Sequence, residues 1–553
     1  MMVNIIILLL LFLCNQCLCD ICKTCICSAS NAGPIINCHD RHLGTNEVLN
    51  FDLLTLNKDR PLNKLILSKN NIVLLPINEL KNLKHLKRLD VSQNQLDNIH
   101  SYIFENLNEL EELNYSYNSL WNFDISILNS VSFLSKLNLS HNQISNLEKS
   151  LKNATTKLKA LDISHNKLVD LNFLDGLPEL EYLNLSFNKF VTLPTNSLLY
   201  MHHLKILYVN NNHLLSLNFQ NLPLSLIELY TENNLIDTVI FQKSSIRTLN
   251  IQNNNISIIH KNLTLLEELQ KLNISKNSLL DFPDVFLKNL EMLDISSNNL
   301  TIIPETISTK NFPNLKTFKI NGNRLKDIKI RSELNLEMFE VKFVETIEKI
   351  DRETFLMLKE KKNGCINVTV SNNAKLNTIE ENVFQHMNIC FLDLSNNYFT
   401  YLPLKLFNLN VYNKNNSTKT NLKYLINLQG NPFTCNCSLQ WILNELVPKL
   451  YSINPSLLED LRCADPPPLA NKRMIHWYNW KGEVFCDEFS HFAERMSVNV
   501  AGVSSNQVVT FKTGPGMIAV LATVSALLAI LMIIGILLTR RMTAKRRRVN
   551  RRF

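Results

Sequence analysis

The sequence predicts an α/β solenoid with a cap at each end, followed by one membrane-spanning helix. Three observations predict it. A frame of leucines and asparagines returns every 24 residues in its first turns and persists through most of the 553-residue chain. Cysteines cluster just before the first turn of that frame and just after the last. Residues 516–538 are an uncharged apolar run with a strongly basic segment behind them.

The frame opens with Leu62, Leu65, Leu67, Asn70 and Ile72. It returns as Leu86, Leu89, Val91, Asn94 and Leu96, and again from Leu110 and from Leu134. Apolar residues at positions 1, 4, 6 and 11 point inward. No single coil can bury its own leucines, so neighbours must stack into one core. This pattern resembles the leucine-rich repeat, whose fold is a horseshoe with one short strand per coil. The resemblance implies that the Asn at position 9 bonds the backbone of neighbouring coils. Without that amide, buried donors and acceptors go unpaired at about 1–3 kcal/mol each.

The frame asparagines are Asn70, Asn94, Asn118, Asn142, Asn166, Asn188, Asn212, Asn234, Asn254, Asn277, Asn298, Asn323, Asn373, Asn397 and Asn431. One degenerate coil keeps Leu336, Phe339 and Val341 but has Val344 in the Asn place. That predicts about sixteen coils over residues 60–433, with a strand face about 75 Å long at about 4.8 Å per strand. Residues 324–364 read as irregular and too long for one coil. The polar stretch Asn410–Asn421 reads as an inserted loop. By the same resemblance Phe104, Phe286, Phe355, Phe384 and Phe407 lie in the return segment and bury their rings there.

Residues 1–19 read as a secretory signal, because the apolar run from Val3 to Leu13 is too short to span a bilayer. Ten cysteines remain beyond it. Cys22, Cys25, Cys27 and Cys38 precede the first coil, within residues 20–59. Cys435, Cys437, Cys463 and Cys486 follow the last, within 434–486. Behind a signal, disulfides are expected rather than a zinc site. The stretch from Asn431 to Trp441 resembles the C-flanking cap of extracellular leucine-rich-repeat proteins, which implies Cys435–Cys463 and Cys437–Cys486. The N-terminal set resembles the matching cap and implies Cys22–Cys27 and Cys25–Cys38, although spacing alone leaves three connectivities. Cys365 and Cys390 fall at nearly the same place in adjacent coils and read equally as a bridge or as two buried thiols.

Residues 487–515 read as a stalk and 516–538 as a spanning helix. The tail, 539–553, carries eight basic residues and no acidic one. By the positive-inside rule it faces the cytosol, which gives type I topology at the plasma membrane. The chain has 57 basic and 49 acidic residues, so the tail alone accounts for the net +8. The ectodomain is near neutral, and a nucleic-acid partner gets no support from charge. Lys545–Arg548 also resembles an arginine-based endoplasmic-reticulum retention signal, the alternative being a plain stop-transfer anchor.

Candidate glycans are Asn114, Asn138, Asn153, Asn184, Asn255, Asn262, Asn273, Asn299, Asn367, Asn415, Asn416 and Asn436. Asn114, Asn138, Asn184 and Asn273 hold position 5, which faces out of the sheet. Positions 3, 5 and 8 present to the concave side. There Tyr182, Phe187, Ile206, Tyr208, Glu228 and Tyr230 gather on coils six to eight as the candidate ligand face. Position 8 reads Tyr117, His141, His165, Phe187 and Asn211 down successive coils. His141 and His165 lack a third ligand in the frame, so no metal is expected. No catalytic motif or cofactor signature occurs, and no enzyme is expected.

The ectodomain resembles the extracellular leucine-rich-repeat family, including Toll-type receptor ectodomains and connectin- or chaoptin-type adhesion proteins. Unlike Toll-type receptors, the sequence shows fifteen residues beyond the apolar run and no signalling domain. The resemblance implies recognition or adhesion: an extracellular protein ligand or a like molecule on another cell, with a co-receptor passing any signal. The alternative is an innate-immune co-receptor or decoy that captures microbial or endogenous ligands.

Overall fold

The computed structural model describes residues 21–488, apart from 32, 45–60, 76–79, 81, 100, 149–156, 171–176, 194–197, 362–363, 408–424 and 478–481. The expected signal, the stalk from residue 489, the apolar span, the basic tail and the Asn410–Asn421 insert lie outside the described residues, as do Asn153, Asn415, Asn416 and the Phe407 side chain. The chain divides into two units, Met1–Cys486 and Asp487–Phe553, and the solenoid lies in the first. Among the described residues no helix is long and apolar enough to cross a membrane.

Each coil gives one short strand to an eighteen-stranded sheet. Sixteen of those strands, from Lys64–Ile66 to Leu425–Asn427, are parallel and carry one coil each. Like positions lie opposite like: Leu65 pairs with Leu89 and Leu89 with Leu113. In the three-residue strands the central residue is buried and its neighbours are not, as the alternation of strand side chains requires. The other two strands, β1 (Ile26–Ser30) and β2 (Gly33–Asn37), form an antiparallel hairpin. β2 then pairs in parallel with the first coil, Ile36 opposite Leu65, so the cap covers the open edge of the sheet.

The α part of the expected class is slight. Return segments are extended or make 3₁₀ turns, as at Ile125–Asn129 and Lys261–Leu265. Most coils are 20–25 residues long and leave few residues for the way back, and a 3₁₀ turn rises about 2.0 Å per residue against about 1.5 Å for an α-helix. A helix of seven residues, Val447–Ile453, stands in the C-terminal cap.

The asparagine ladder supplies the hydrogen bonds that the turns need. Asn118 Oδ1 accepts from the Leu96 amide at 3.1 Å. Its Nδ2 donates to the carbonyls of Val91 in the preceding coil at 3.0 Å and of Tyr115 in its own at 3.1 Å. The same geometry repeats at Asn142, Asn166 and Asn188. At the N-terminal end Asn70 reaches into the cap, accepting from Arg41 N at 2.8 Å and donating to Cys38 O at 2.7 Å. Tyr115 takes an inward position 6 because its hydroxyl finds the Asn98 carbonyl at 3.0 Å.

Position 8 is left-handed throughout, from Lys69 (φ 59°) through Tyr117 (φ 54°) to Gly430 (φ 70°). The chain must turn off the strand within one residue there. Asn and Gly tolerate this conformation most readily, and much of the ladder uses them.

Two expectations need correction. Phe104, Phe355 and Phe384 are buried, but Phe286 is 55 % exposed, with Val285 and Leu287 buried on either side of it. The coil that begins at Leu269 is 21 residues long, so its return segment loses the register that turns such a ring inward. The degenerate coil is also less irregular than its sequence. Its strand, Met338–Lys342, pairs in register with Thr317–Lys319 on one side and Asn367–Ser371 on the other. Val344 is fully buried in the Asn place, and its amide donates to Asn373 Oδ1 at 2.9 Å. The extra length is taken up by the return arm, which pairs Leu334–Leu336 with Leu358–Glu360.

Among the described residues five disulfides are present. Cys22–Cys27 and Cys25–Cys38 hold the N-terminal cap, and Cys435–Cys463 and Cys437–Cys486 the C-terminal cap. Cys365 is bonded to Cys390 across adjacent coils, with Cα atoms 5.2 Å apart. At that point the pairing slips: Ile366 lies opposite Ile389 but Asn367 lies opposite Phe391, leaving Cys390 as the extra residue.

Candidate functional site

The sheet face of coils three to eight carries two aromatic rows. At position 8 the rings of Tyr117, His141, His165 and Phe187 stack in sequence, with centroids 3.9, 3.8 and 3.9 Å apart and planes within 14°. Four consecutive coils thus hold bulky rings in the left-handed conformation, where Asn or Gly is the easier choice. Tyr117 is half exposed and Phe187 is 44 % exposed, so the row presents ring edges outward.

The second row is built from positions 3 and 5. Tyr182, Ile206 and Glu228 lie side by side on three strands, as do Asn184, Tyr208 and Tyr230. The Tyr208 and Tyr230 rings stack at 4.5 Å and 5°, and Tyr182 is tilted 51° against Tyr208 at 5.7 Å. Tyr230 donates its hydroxyl proton to Glu228 Oε2 at 2.9 Å. The expected face is therefore split by the structure. Tyr182, Ile206, Tyr208, Glu228 and Tyr230 come together, whereas Phe187 belongs to the neighbouring row.

Burial, then the nearby Asp162 and Tyr208, push Tyr182 up to about 12. Burial and the Glu228 carboxylate raise Tyr230 as well. These phenols stay protonated and act as donors. Burial lowers His141 and His165, each against the opposing pull of Asp162, so both rings are neutral at pH 7. Among the described residues no group of three or more metal-ligating side chains occurs.

Two features escaped the sequence reading. The stacking of the position 8 row was open to it, since four rings occupy one frame position on consecutive coils. Glu232 was missed: it holds position 7, where most coils carry Ser. Its Oε2 is closed from solvent and has no hydrogen-bond partner among the described residues, and burial raises its pKa.

Asn114, Asn138, Asn184 and Asn273 each accept, through Oδ1, the amide of the Ser two residues on, which caps the strand end. Asn184 also donates to Asp162 Oδ2 at 3.1 Å and Asn273 to Gln252 Oε1 at 2.9 Å. Asn255, Asn262 and Asn436 are exposed and Asn299 is half-buried. Asn367 lies on the sheet face between Met338 and Phe391. Beside the aromatic rows, a groove runs over the sheet from Lys64 and Arg88 to Asp162 and Tyr182. Within it Glu112 lies 2.9 Å from Lys136 and 3.4 Å from Arg88.

The comparisons agree with this architecture. A family profile described as leucine rich repeat matches residues 60–120 and 132–190, and a second of the same description matches 289–309. No curated protein matches the chain in sequence. Among solved structures, a leucine-rich-repeat protein of Leptospira interrogans aligns with TM-score 0.51 and 23 % identity, over 77 % of this chain and 93 % of its own. An internalin of Listeria monocytogenes aligns at 0.40 and 21 %, over 57 % and 85 %. Toll, from the Toll–Spatzle complex of Drosophila, aligns at 0.44 and 17 %, over 75 % and 59 %. The first likeness shows the fold alone. The protein is a leucine-rich-repeat solenoid, a fold typical of non-enzymatic binding proteins.

Proposed function

We propose that this is a single-pass type I protein of the plasma membrane that recognises or adheres to an extracellular protein, or to a like molecule on another cell. The sheet face of the solenoid is the contact surface. One observation carries the reading: the sheet is long and hydrogen-bonded throughout, and its outward face bears two rows of stacked rings, with Tyr117 and Phe187 exposed and Tyr182, Tyr208 and Tyr230 half-buried. Aromatic clusters of this kind are what hot spots at protein interfaces are made of. Disulfides at both caps and at Cys365–Cys390 support an oxidising, extracellular setting. The apolar run 516–538 and the basic residues after it support the anchor and its orientation.

The test is capture on cells with the soluble ectodomain, residues 20–510. Binding to a cell-surface protein, or to cells displaying the same chain, is expected. Loss of that binding in Y208A/Y230A, with folding intact, would place the contact. Failure to bind any cell surface, including cells that express this chain, sinks the adhesion form. Binding of microbial glycolipid in its place would move the reading to immune capture.

A further inference from the structure

The glutamates of the sheet face are treated unequally. Glutamates occur there at Glu112, Glu228, Glu232 and Glu340. Glu112 is held by Arg88 and Lys136, and Glu340 by Lys342 at 3.0 Å. Neither Glu228 nor Glu232 has an ion-pair partner among the described residues. Positions 3, 5, 7 and 8 of coils six to nine carry no Lys or Arg at all. Glu228 engages only a neutral phenol, Tyr230, on its own strand. Glu232 keeps an oxygen that is buried and without a hydrogen bond. Burial without a hydrogen bond favours the protonated form of that carboxyl, and a cation brought beside it restores the charge.

The tyrosine row lies against both carboxylates, since Tyr208 and Tyr230 each feel the charge of Glu228 and Glu232. Tyr230 ends the row. Its neighbour at position 5 of the next coil is Asn250, which leaves the outer face of the ring beside a small polar side chain. An aromatic face beside two unmatched carboxylates is complementary to a planar cation. A guanidinium stacks on such a ring and forks onto a carboxylate at the same time, which a lysine ammonium does not do.

We propose that coils six to nine of the sheet form an anchor pocket for an arginine side chain of a protein ligand, with Tyr230 as the stacking surface and Glu228 and Glu232 as the charge partners. The inference rests on the reading that this face binds protein and names the chemistry of the contact.

The test uses the purified full chain in detergent micelles at about 150 mM salt, to screen weak surface attraction. The probes are three fluorescein-labelled pentapeptides, Gly-X-Gly-X-Gly, with X as arginine, lysine or citrulline, read by fluorescence polarisation. The arginine peptide is expected to bind at least tenfold more tightly than the citrulline peptide, and more tightly than the lysine peptide. E228Q/E232Q is expected to remove that preference, and Y230L to weaken arginine binding severalfold. E291Q, which removes a charge paired with Lys316 at 2.9 Å away from these rings, should change nothing. Thermal melts of each variant establish that it folds. Equal binding of arginine and citrulline peptides, an unchanged preference in E228Q/E232Q, or no binding of any peptide would each overturn the proposal. A cell-surface protein captured by wild-type ectodomain and held equally by E228Q/E232Q would overturn the arginine anchor while leaving the recognition reading intact.

Discussion

In coils three to six the asparagine frame is complete, and position 8 carries Tyr117, His141, His165 and Phe187. In coils thirteen to fifteen the frame itself fails, at Val344 and again in the slip at Cys390, while the strands are the longest of the sixteen. The first region keeps its scaffold and changes what it displays. The second changes its scaffold and compensates with longer ladders, a paired return arm and a disulfide. Inward positions and outward positions are thus separately adjustable. Stability rests on the inward set and the proposed recognition on the outward one.

The comparison is open to breakage, beginning at the complete frame. Asn166 Oδ1 accepts from Ile144 N at 2.9 Å, and Nδ2 donates to Leu139 O at 3.0 Å and Ile163 O at 3.1 Å. N166L strands the Ile144 amide and takes one of two donors from each carbonyl, since Leu139 O keeps Asn142 and Ile163 O keeps Asn188, and should cost about 3–5 kcal/mol. Hydrogen exchange read coil by coil should show the loss centred on coils four and five, because neighbours in a solenoid share stability locally. A uniform loss along the chain would speak against local coupling.

The substitute brace in the second region is next. C365A/C390A opens a loop closed across 25 residues of sequence and should cost about 3 kcal/mol, seen in the urea midpoint of the C-terminal coils. An unchanged midpoint would mean that the long strands alone hold that segment. V344N tests the same region in the other sense. An amide there can meet the backbone of the coil before it, and a gain of about 1 kcal/mol is expected. A loss would show that the coil has repacked around valine.

The smallest effect belongs to the histidines of the displayed row. Burial holds His141 and His165 below the ordinary histidine range. The unfolded chain therefore takes up protons first as pH falls. Stability of coils four and five should drop as pH passes below about 6.5 and should be flat above it. H141F/H165F should abolish that slope in local hydrogen exchange measured between pH 7.5 and pH 5.5. A slope of the opposite sign would mean that Asp162 outweighs burial.

The inward set was legible in the sequence because burial at positions 1, 4, 6, 9 and 11 imposes one residue type for one reason. Asn70 through Asn431 could be counted from the frame alone. Phe286 escaped because its coil is three residues short, and a frame counted forward from Leu269 carries no memory of where the return segment must rejoin. The site was half legible. Tyr182, Tyr208 and Tyr230 fall on outward positions and could be named. That Phe187 continues a different row depends on lateral contact between rings, which periodicity does not encode. Glu232 was invisible for a related reason: at position 7 its side chain lies at the seam between inside and outside, and the frame assigns that place to neither.

The frame amides described above have a direction. Asn94 bonds Leu67 and Ile72, Asn118 bonds Val91 and Leu96, and so on to Asn431, which reaches back to Leu394 and Phe399. These amides serve their own turn and the one before it, and Asn373, beside the degenerate coil, departs by donating forward to Asn397 Oδ1 at 3.2 Å. Synthesis runs the same way, so a coil leaving the ribosome waits for its successor before its last backbone donor is met. Folding of this chain would then follow translation with a lag of about one coil, and the C-terminal cap would take the place of the successor that the last coil lacks.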